Sequence, residues 1–315
     1  MNVSVVIPLY NKVRHIRRAI ESVLAQTRGP FELIVVDDGS TDGSGTVVRE
    51  IIDPRLRLIT QPNAGECAAR NRGIQAASGE LIAFLDADDE WLPEFLETVL
   101  ALRAKYTDAG LYATAYHLCE DGKIRWPAYT HCVTDPEGGL LDDYFQAAGG
   151  PAPITSSSVM IPKHVLIEVG GFPNGVRTGG DVHTWIRVAL RYRVAWSPRD
   201  AAVYHLSADN RVCHQRIVVA DVAAAAVLDE FLRSRAASIA SRYWIEEYLS
   251  GRRLSHALLC YLHGHKVWMR ALLKRTRGTY LHRKKRLLLL TLIWIPVSIA
   301  KGALRANTWW HRRPA

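Results

Sequence analysis

The sequence predicts an α/β protein: a mostly parallel sheet with helices on both faces, followed by a helical, basic C-terminal region. Three observations carry this. Between Val3 and Leu85 short apolar runs alternate with segments of helical periodicity, the pattern of a sheet covered on both sides. Two of those runs end in clustered carboxylates, Asp37-Asp38 and Asp86-Ala87-Asp88-Asp89. From Tyr248 to Ala315 there are 15 Lys or Arg and no acid, so of the 40 basic and 31 acidic residues the first 247 positions carry 25 and 31. An acidic body thus bears a cationic tail, and 315 residues suffice for a large domain with such an appendage.

Val3-Ser4-Val5-Val6-Ile7-Pro8 reads as a first buried strand. Val13, Ile16, Ala19, Ile20, Val23 and Leu24 then recur at helical spacing and make one apolar face. Phe31 to Val36 is the second strand; a helix over roughly 43–52, a third strand at Leu56–Thr60 and a helix over 64–77 follow, with Gly79 just past its end. Leu81 to Leu85, too short for a stable lone helix, reads as a buried parallel strand. It runs straight into Asp86, Asp88 and Asp89. A buried strand ending in clustered charge must deliver that charge to a crevice where water or a cation solvates it. In open α/β sheets such crevices lie at the carboxyl ends of the strands. Clustered oxygen ligands suit Mn²⁺ or Mg²⁺, which commonly meet a substrate diphosphate there. Trp91-Leu92-Pro93-Glu94 reads as the start of the next helix, an end that acids also favour.

The first strand–helix turn, Pro8-Leu9-Tyr10-Asn11, contains no glycine. A dinucleotide site of the glycine-rich kind is thereby excluded, and the absence of G-x-x-x-x-G-K-[ST] excludes a P-loop. The turn offers Tyr10 instead, with Asp37 and Asp38 at the end of the neighbouring strand. An aromatic face and a carboxylate can stack a base and accept its ring N–H. Asn63-Ala64-Gly65 and a helix carrying Arg70, Asn71 and Arg72 would extend the crevice, and Arg70 can reach a base or phosphate oxygen from there.

Four motifs in order now stand together: Val5-Val6-Ile7-Pro8-x-Tyr10-Asn11, Val35-Val36-Asp37-Asp38-Gly39-Ser40-Thr41-Asp42, Asn63-x-Gly65-x(4)-Arg70-Asn71-x-Gly73, and Phe84-Leu85-Asp86-x-Asp88-Asp89. They resemble glycosyltransferase family 2, over roughly residues 1–210. The resemblance implies the GT-A fold, a nucleotide-sugar donor with uridine favoured, a divalent cation and inversion at the anomeric carbon. It divides the chain into a nucleotide-binding half (1–116), an acceptor half (117–210) and a helical region (211–315). Carried over by position, Asp38 would hold the base with Pro8 and Tyr10 beside it. Asp86 and Asp88 match the ends of the family's Asp-x-Asp, one facing the ribose and one the cation. The run Asp-Ala-Asp-Asp leaves Asp88 and Asp89 both as metal candidates, with Asp88 preferred.

Beyond the first half, Ala109–Tyr116 reads as a strand, 117–153 as an irregular Gly/Pro-rich stretch, and Ile154–Ile161 as a strand of small hydroxyl residues lining a cleft. Val182, Trp185, Ile186, Ala189 and Leu190 mark an amphipathic helix with Asp181 near its N-terminus. An N-cap needs no further role, but the position is similar to the family's Glu-Asp ahead of Trp-x-Arg, here Trp185-Ile186-Arg187, which makes Asp181 the expected catalytic base. Gly180 stands where the family usually has Glu. Val194–Trp196 and Ala201–His205 are expected to complete a small second sheet, with His205 at a strand exit where some relatives place a metal or diphosphate contact. Helices follow: an alanine-rich one to about Arg235, another to Leu249, and a basic hairpin over 251–277.

The tail's basic residues flank Leu287 to Ala300, fourteen residues without charge interrupted by Pro296. That falls short of the ~20 needed to span a bilayer. With Trp294, Trp309 and Trp310 it suits an anionic membrane surface; no reading motif for nucleic acid accompanies it. The cysteines, Cys67, Cys119, Cys132, Cys213 and Cys260, show no paired spacing, and the first residues lead directly into a strand. The expectation is a cytoplasmic protein held peripherally at the inner face of the membrane. The acceptor would be a saccharide or lipid-linked glycan. The competing readings are an inactive nucleotide-sugar-binding scaffold and a sugar nucleotidyltransferase. Against the second, Tyr10-Asn11 occupies the place of a Gly-rich basic loop.

Overall fold

A computed structural model describes residues 2–30, 32–176, 178–208, 222–234 and 239–298. The opening alternation becomes β1 (Val3–Leu9), α1 (Ile16–Leu24), β2 (Glu32–Asp37), α2 (Ser44–Arg49), β3 (Leu56–Thr60), α3 (Glu66–Ala76) and β4 (Leu81–Phe84). β1, β2 and β4 are buried along their whole lengths, as coverage of both faces requires. Successive side chains go to opposite layers. Val6, Ile34, Val36, Ile82 and Phe84 enter one core; Val5, Ile7, Leu33, Val35 and Ala83 enter the other, against Ile16, Ala19, Ile20 and Val23 of α1. On the first face α3 rests directly on β1, where a Cβ on Gly73 would meet Val6 Cγ1 at 2.3 Å. That missing side chain sets the height of α3, and of Arg70, above the sheet.

The expected helix start at Trp91 moves to α4 (Phe95–Lys105), because Glu90–Trp91 forms a short strand, β5. The indole of Trp91 is held there by its Nε1 donating to the Ser157 carbonyl at 2.7 Å. The strand expected to end at Tyr116 continues as β6 (Ala109–Glu120) and folds back through β7 (Lys123–Arg125). β8 (Gly139–Leu140) and α5 (Tyr144–Ala147) order the stretch that the sequence left irregular.

The hydroxyl-rich strand expected over 154–161 is a strand only from Val159, as β9 (Val159–Pro162). Ser156–Ser158 instead form one turn of 3₁₀ helix, with reciprocal caps between Thr155 and Ser158. Short polar side chains bonding local backbone have displaced the strand ladder. After α6 (Lys163–Glu168) and α7 (Gly180–Ala189), the two expected final strands are one, β10 (Arg193–His205), with register shifts around Ser197 to Ala202. Among the described residues no separate second sheet arises, since β10 pairs with β6 in the same sheet.

The strand order is β3-β2-β1-β4-β9-β6-β10-β5, with β7 on β6 and β8 on β10. The first four strands are mutually parallel. β9 runs antiparallel between β4 and β6, making the whole sheet mixed. β1 lies between β2 and β4, so their carboxyl ends form one rim.

The C-terminal region comprises α8 (Val222–Arg233), α9 (Ile239–Leu262), α10 (Lys266–Lys274) and α11 (Arg283–Leu292). The helix expected to stop at Leu249 continues through Gly251, whose lack of a side chain admits His282: a Cβ would stand 2.7 Å from its Nε2. Ile245, Tyr248 and Leu249 of α9 join Ala224 and Leu228 of α8 in the main core. Further along, Leu254, Ala257, Cys260 and Tyr261 pack on Met269, Leu273, Leu289 and Ile293. The uncharged run from Leu287 is therefore divided. Leu289 and Ile293 point inward, while Leu287, Leu288 and Trp294 are 52%, 41% and 84% exposed. Among the described residues no helix is long and apolar enough to cross a membrane. Cys213, Ala300, Trp309 and Trp310 lie outside the described residues.

Candidate active site

At the rim, the turns after β1 and β2 are locked together. Asn11 adopts φ 50°; its N–H donates to Ser40 Oγ at 3.0 Å and its Oδ1 accepts the Thr41 N–H at 2.8 Å. Pro8 is buried in β1 opposite Val36, and Tyr10 beyond it is 46% exposed. Asp38 is buried and accepts from Gln61 Nε2 at 2.7 Å and from the Ala64 and Gly65 N–H groups at 2.9 and 2.8 Å. A carboxylate has about four acceptor positions, so with these three donors Asp38 fixes the 61–65 loop and keeps about one position for a further N–H. Tyr10, the expected stacking face, is open on the same rim.

Arg70 projects from α3 to the end of β4. Its side chain is 2% exposed, donates to Asp86 Oδ1 at 2.6 Å, pairs with Glu66, and lies 5.2 Å from the Phe172 ring centre. A guanidinium so buried needs this much negative charge to offset its lost hydration. Asp86 pays the complementary electrostatic cost: burial pushes its carboxyl up to about 7, with Arg70 opposing and Glu66 and Asp88 adding to the rise.

Asp88 and Asp89 take different roles. Asp88 Oδ2 receives the Lys12 ammonium at 2.7 Å, and Arg18 Nη2 donates to the Asp88 carbonyl at 2.6 Å. Asp89 is 1% exposed, and both its oxygens are engaged, Oδ2 by the Ser157 hydroxyl and Oδ1 by the His205 N–H at 3.0 Å. Burial, then the charges of Asp88 and Asp86, push its carboxyl well above the usual range. Asp89 joins the end of β10 to the serine turn; Asp88 faces a cation. His205 directs Nε2 to Glu90 Oε2 at 3.3 Å, so its ring is turned to a carboxylate partner. Among the described residues no group of three His, Cys, Asp or Glu side chains is poised to enclose a metal. What the carboxylates Asp86 and Asp88 fit is a cation bound by one or two protein oxygens and completed by substrate phosphate. The ammonium already held by Asp88 shows that this oxygen accepts a positive charge at contact distance.

Asp181 lies in the first turn of α7 and accepts a long contact from Ser156 Oγ at 3.5 Å. Next to it in the serine turn, Ser157 also accepts the Asp86 N–H at 3.2 Å. The turn therefore ties the β4 carboxylates to Asp181 across 95 positions of sequence. Arg70 feels the charges of Glu66, Asp86 and Asp181 together, placing Asp181 on the same rim. Gly180 has no room for a side chain, since its Cβ would stand 2.2 Å from Cys67 Sγ.

Residues 4–169 match the profile of Glycosyl transferase family 2. The chain belongs to glycosyltransferase family 2. Over 213 residues it is 30% identical to the putative teichuronic acid biosynthesis glycosyltransferase TuaG of Bacillus subtilis, covering 67% of this chain and 81% of that one. An uncharacterized glycosyltransferase of Rickettsia bellii is 31% identical over 209 residues, 66% of this chain. This chain spans only 29% of that relative's length, and 32% of a Nostoc relative's. Staphylococcus aureus TarS 1-349 in complex with UDP-GlcNAc superposes with a TM-score of 0.58 at 18% identity, over 90% of this chain and 92% of that one. The mannosyltransferase PcManGT of Pyrobaculum calidifontis, in complex with GDP-Man and Mn²⁺, gives 0.60 at 20% identity, over 97% and 88%. At these identities the likeness establishes the fold, GT-A.

For this family-2 chain, the sequence missed Lys12, Arg18, Ser156 and Ser157. Lys12 had a signal: it directly follows the turn whose exposed aromatic marked the crevice. The serines were noticed as a cleft lining but in the wrong local structure, and their partners, 68 and 71 positions from Ser157 and 25 from Ser156, carry no local trace.

Proposed function

We propose that the protein transfers a sugar from a nucleoside-diphosphate sugar, preferentially a UDP-sugar, to a hydroxyl of a saccharide or lipid-linked glycan in cell-surface polysaccharide or lipopolysaccharide synthesis, with inversion at the anomeric carbon. The observation that carries this is the serine turn, in which Ser157 holds Asp86 and Asp89 and Ser156 contacts Asp181, with Arg70 paired to Asp86 and Asp88 beside them facing Lys12. Tyr10 stacks the base beside Pro8, with Asp38 ordering the loop against it, and Asp86 faces the ribose. Asp88, rather than the engaged Asp89, is the protein ligand for Mn²⁺ or Mg²⁺, and His205 supports the site from β10. When bound, the divalent cation supplies positive charge to the departing diphosphate. Lys12, paired with Asp88, is placed to follow that negative charge.

Asp181 Oδ accepts the acceptor hydroxyl proton as the acceptor oxygen bonds to the anomeric carbon, and the bond from that carbon to the phosphate oxygen breaks with its electron pair. One displacement inverts the centre. Residues 1–116 serve the donor and 117–210 the acceptor. The relative named for teichuronic acid synthesis and the UDP-GlcNAc and Mn²⁺ complexes of the structural neighbours support the substrate class and the metal. The basic C-terminal helices hold the enzyme peripherally to the anionic inner face of the membrane, where a lipid-linked acceptor would lie.

The test is thermal stability with a panel of nucleotide sugars, with and without Mn²⁺ or Mg²⁺. UDP-sugars should raise Tm only when metal is present, and Asp88→Ala should abolish the metal dependence. Equal shifts in chelator would overturn the metal assignment; no shift with any nucleotide sugar would overturn the donor.

A further inference from the structure

A cavity of about 160 Å³ lies between the acceptor half and the C-terminal helices. It is lined by Thr130 and His131, by Phe145 and Gln146 of α5, and by Trp244 and Tyr248 of α9. Its walls are aromatic: the Phe145 and Tyr248 rings are 5.7 Å apart at 66°, and His131 and Trp244 6.0 Å apart at 44°. Gln146 is oriented by its contact with His131 Nδ1 at 3.1 Å, which leaves the amide oxygen as an acceptor toward a ligand. His131, Gly149 and Gly150 are exposed, so the cavity opens to solvent on that side.

The lining selects among ligand classes. No Lys or Arg lines it, and of its two imidazoles, His131 and His282, burial shifts His282 toward the neutral form, so a phosphate or nucleotide finds no permanent cation. Glu247 also borders the cavity, but its carboxylate is consumed by the Thr279 hydroxyl at 2.6 Å and the Tyr280 N–H at 2.5 Å. An acyl chain would strand the amide, hydroxyl and imidazole groups without partners. A pyranose ring satisfies both demands, with C–H faces for the aromatic rings and hydroxyls for Gln146 and Thr130.

Behind the cavity wall lies Tyr144, buried in α5. Tyr144 stacks edge-on to Phe145 at 5.4 Å. Its hydroxyl is held well above the usual tyrosine range, first by burial and then by Tyr248 and Asp181, with Arg252 opposing.

We infer that this cavity is an outer acceptor subsite: it binds an uncharged sugar ring of the acceptor glycan, at a remove from the ring whose hydroxyl reaches Asp181. The inference rests on the proposed function, and it makes a saccharide of at least two units the preferred acceptor.

The experiment presents the full chain to an array of neutral and uronate-bearing oligosaccharides, then measures the best neutral binder by calorimetry. Parent protein, His131→Ala, Trp244→Ala and Trp244→Phe are compared. Neutral oligosaccharides should be captured; Trp244→Ala and His131→Ala should each weaken binding by about tenfold, with Trp244→Phe near the parent. UDP-sugar stabilisation should be the same in all four. Capture of acidic glycans only, capture of none, or affinity unmoved by both alanine variants would overturn the subsite. Loss of nucleotide-sugar stabilisation in the parent would instead count against the proposed function, so the two failures are distinguishable.

Discussion

Gly180, the first residue of α7, faces Cys67, the second residue of α3, so closely that a Cβ would stand 2.2 Å from the sulfur. This contact accounts for the departure from the family pattern, in which an acid precedes the aspartate. Here the Cys67 side chain takes the room, and burial pushes its thiol up to about 11. Gly180→Ala should destabilise the protein by about 1–3 kcal/mol through overpacking. Cys67→Ala should relieve most of that, and a double-mutant cycle in urea should show the coupling. Additive effects would mean that the two residues do not constrain one another.

Asp181 is tested by separating chemistry from binding. Asp181→Asn should lower kcat by about 10²–10⁴-fold, the usual worth of a positioned general base. Donor stabilisation in the presence of Mn²⁺ should persist. Unchanged turnover would remove Asp181 from the reaction, while an inactive parent with normal donor binding would favour a scaffold.

Asp86 predicts a pH dependence. Its folded carboxyl titrates at about 7 against an ordinary 3.8, so the folded state binds the proton more tightly than the unfolded state. The stability this contributes is complete below pH 3.8 and is lost as pH rises through about 7. In chelator and without nucleotide, the Tm of Asp86→Asn relative to the parent should therefore climb between about pH 4 and pH 7 and level off above, by about 2–4 °C for each kcal/mol. A flat difference would show that the Arg70 ion pair cancels the burial.

The outward face of α11 supplies the membrane test. Removing everything after Arg277 would uncover Leu254 and Met269, which pack on Leu289 and Ile293. Replacing exposed residues avoids this. Leu287→Ser, Leu288→Ser and Trp294→Ser together should release the protein from vesicles containing anionic lipid, with Tm and donor binding retained. Cosedimentation equal to that of the parent would refute the surface.

Much of the β1–β4 half was legible because its signals are local. β1, β2 and β4 announce themselves as unbroken apolar runs, and β4 ends visibly in carboxylates. The parts that were not legible depend on distant partners. Which of Asp88 and Asp89 faces outward is decided by Lys12, Ser157 and His205, located 76, 68 and 116 positions away. Ser156–Ser158 carry residues compatible with a strand or a turn, and only their bonds to Thr155, Asp86 and Asp89 select the turn. β10 looked like two strands because Pro198 interrupts its pattern. Long pairing with β6 carries the chain across that interruption.

That pairing has a mechanical consequence. β6 and β10, of 12 and 13 residues, lie side by side, and β10 ends at the backbone bond between His205 and Asp89. The segments before and after residue 117 are thus tied to one girder by continuous strand pairing. A substitution that loosens the β6–β10 pairing should therefore be felt at Asp89 on the rim as well as along the beam itself.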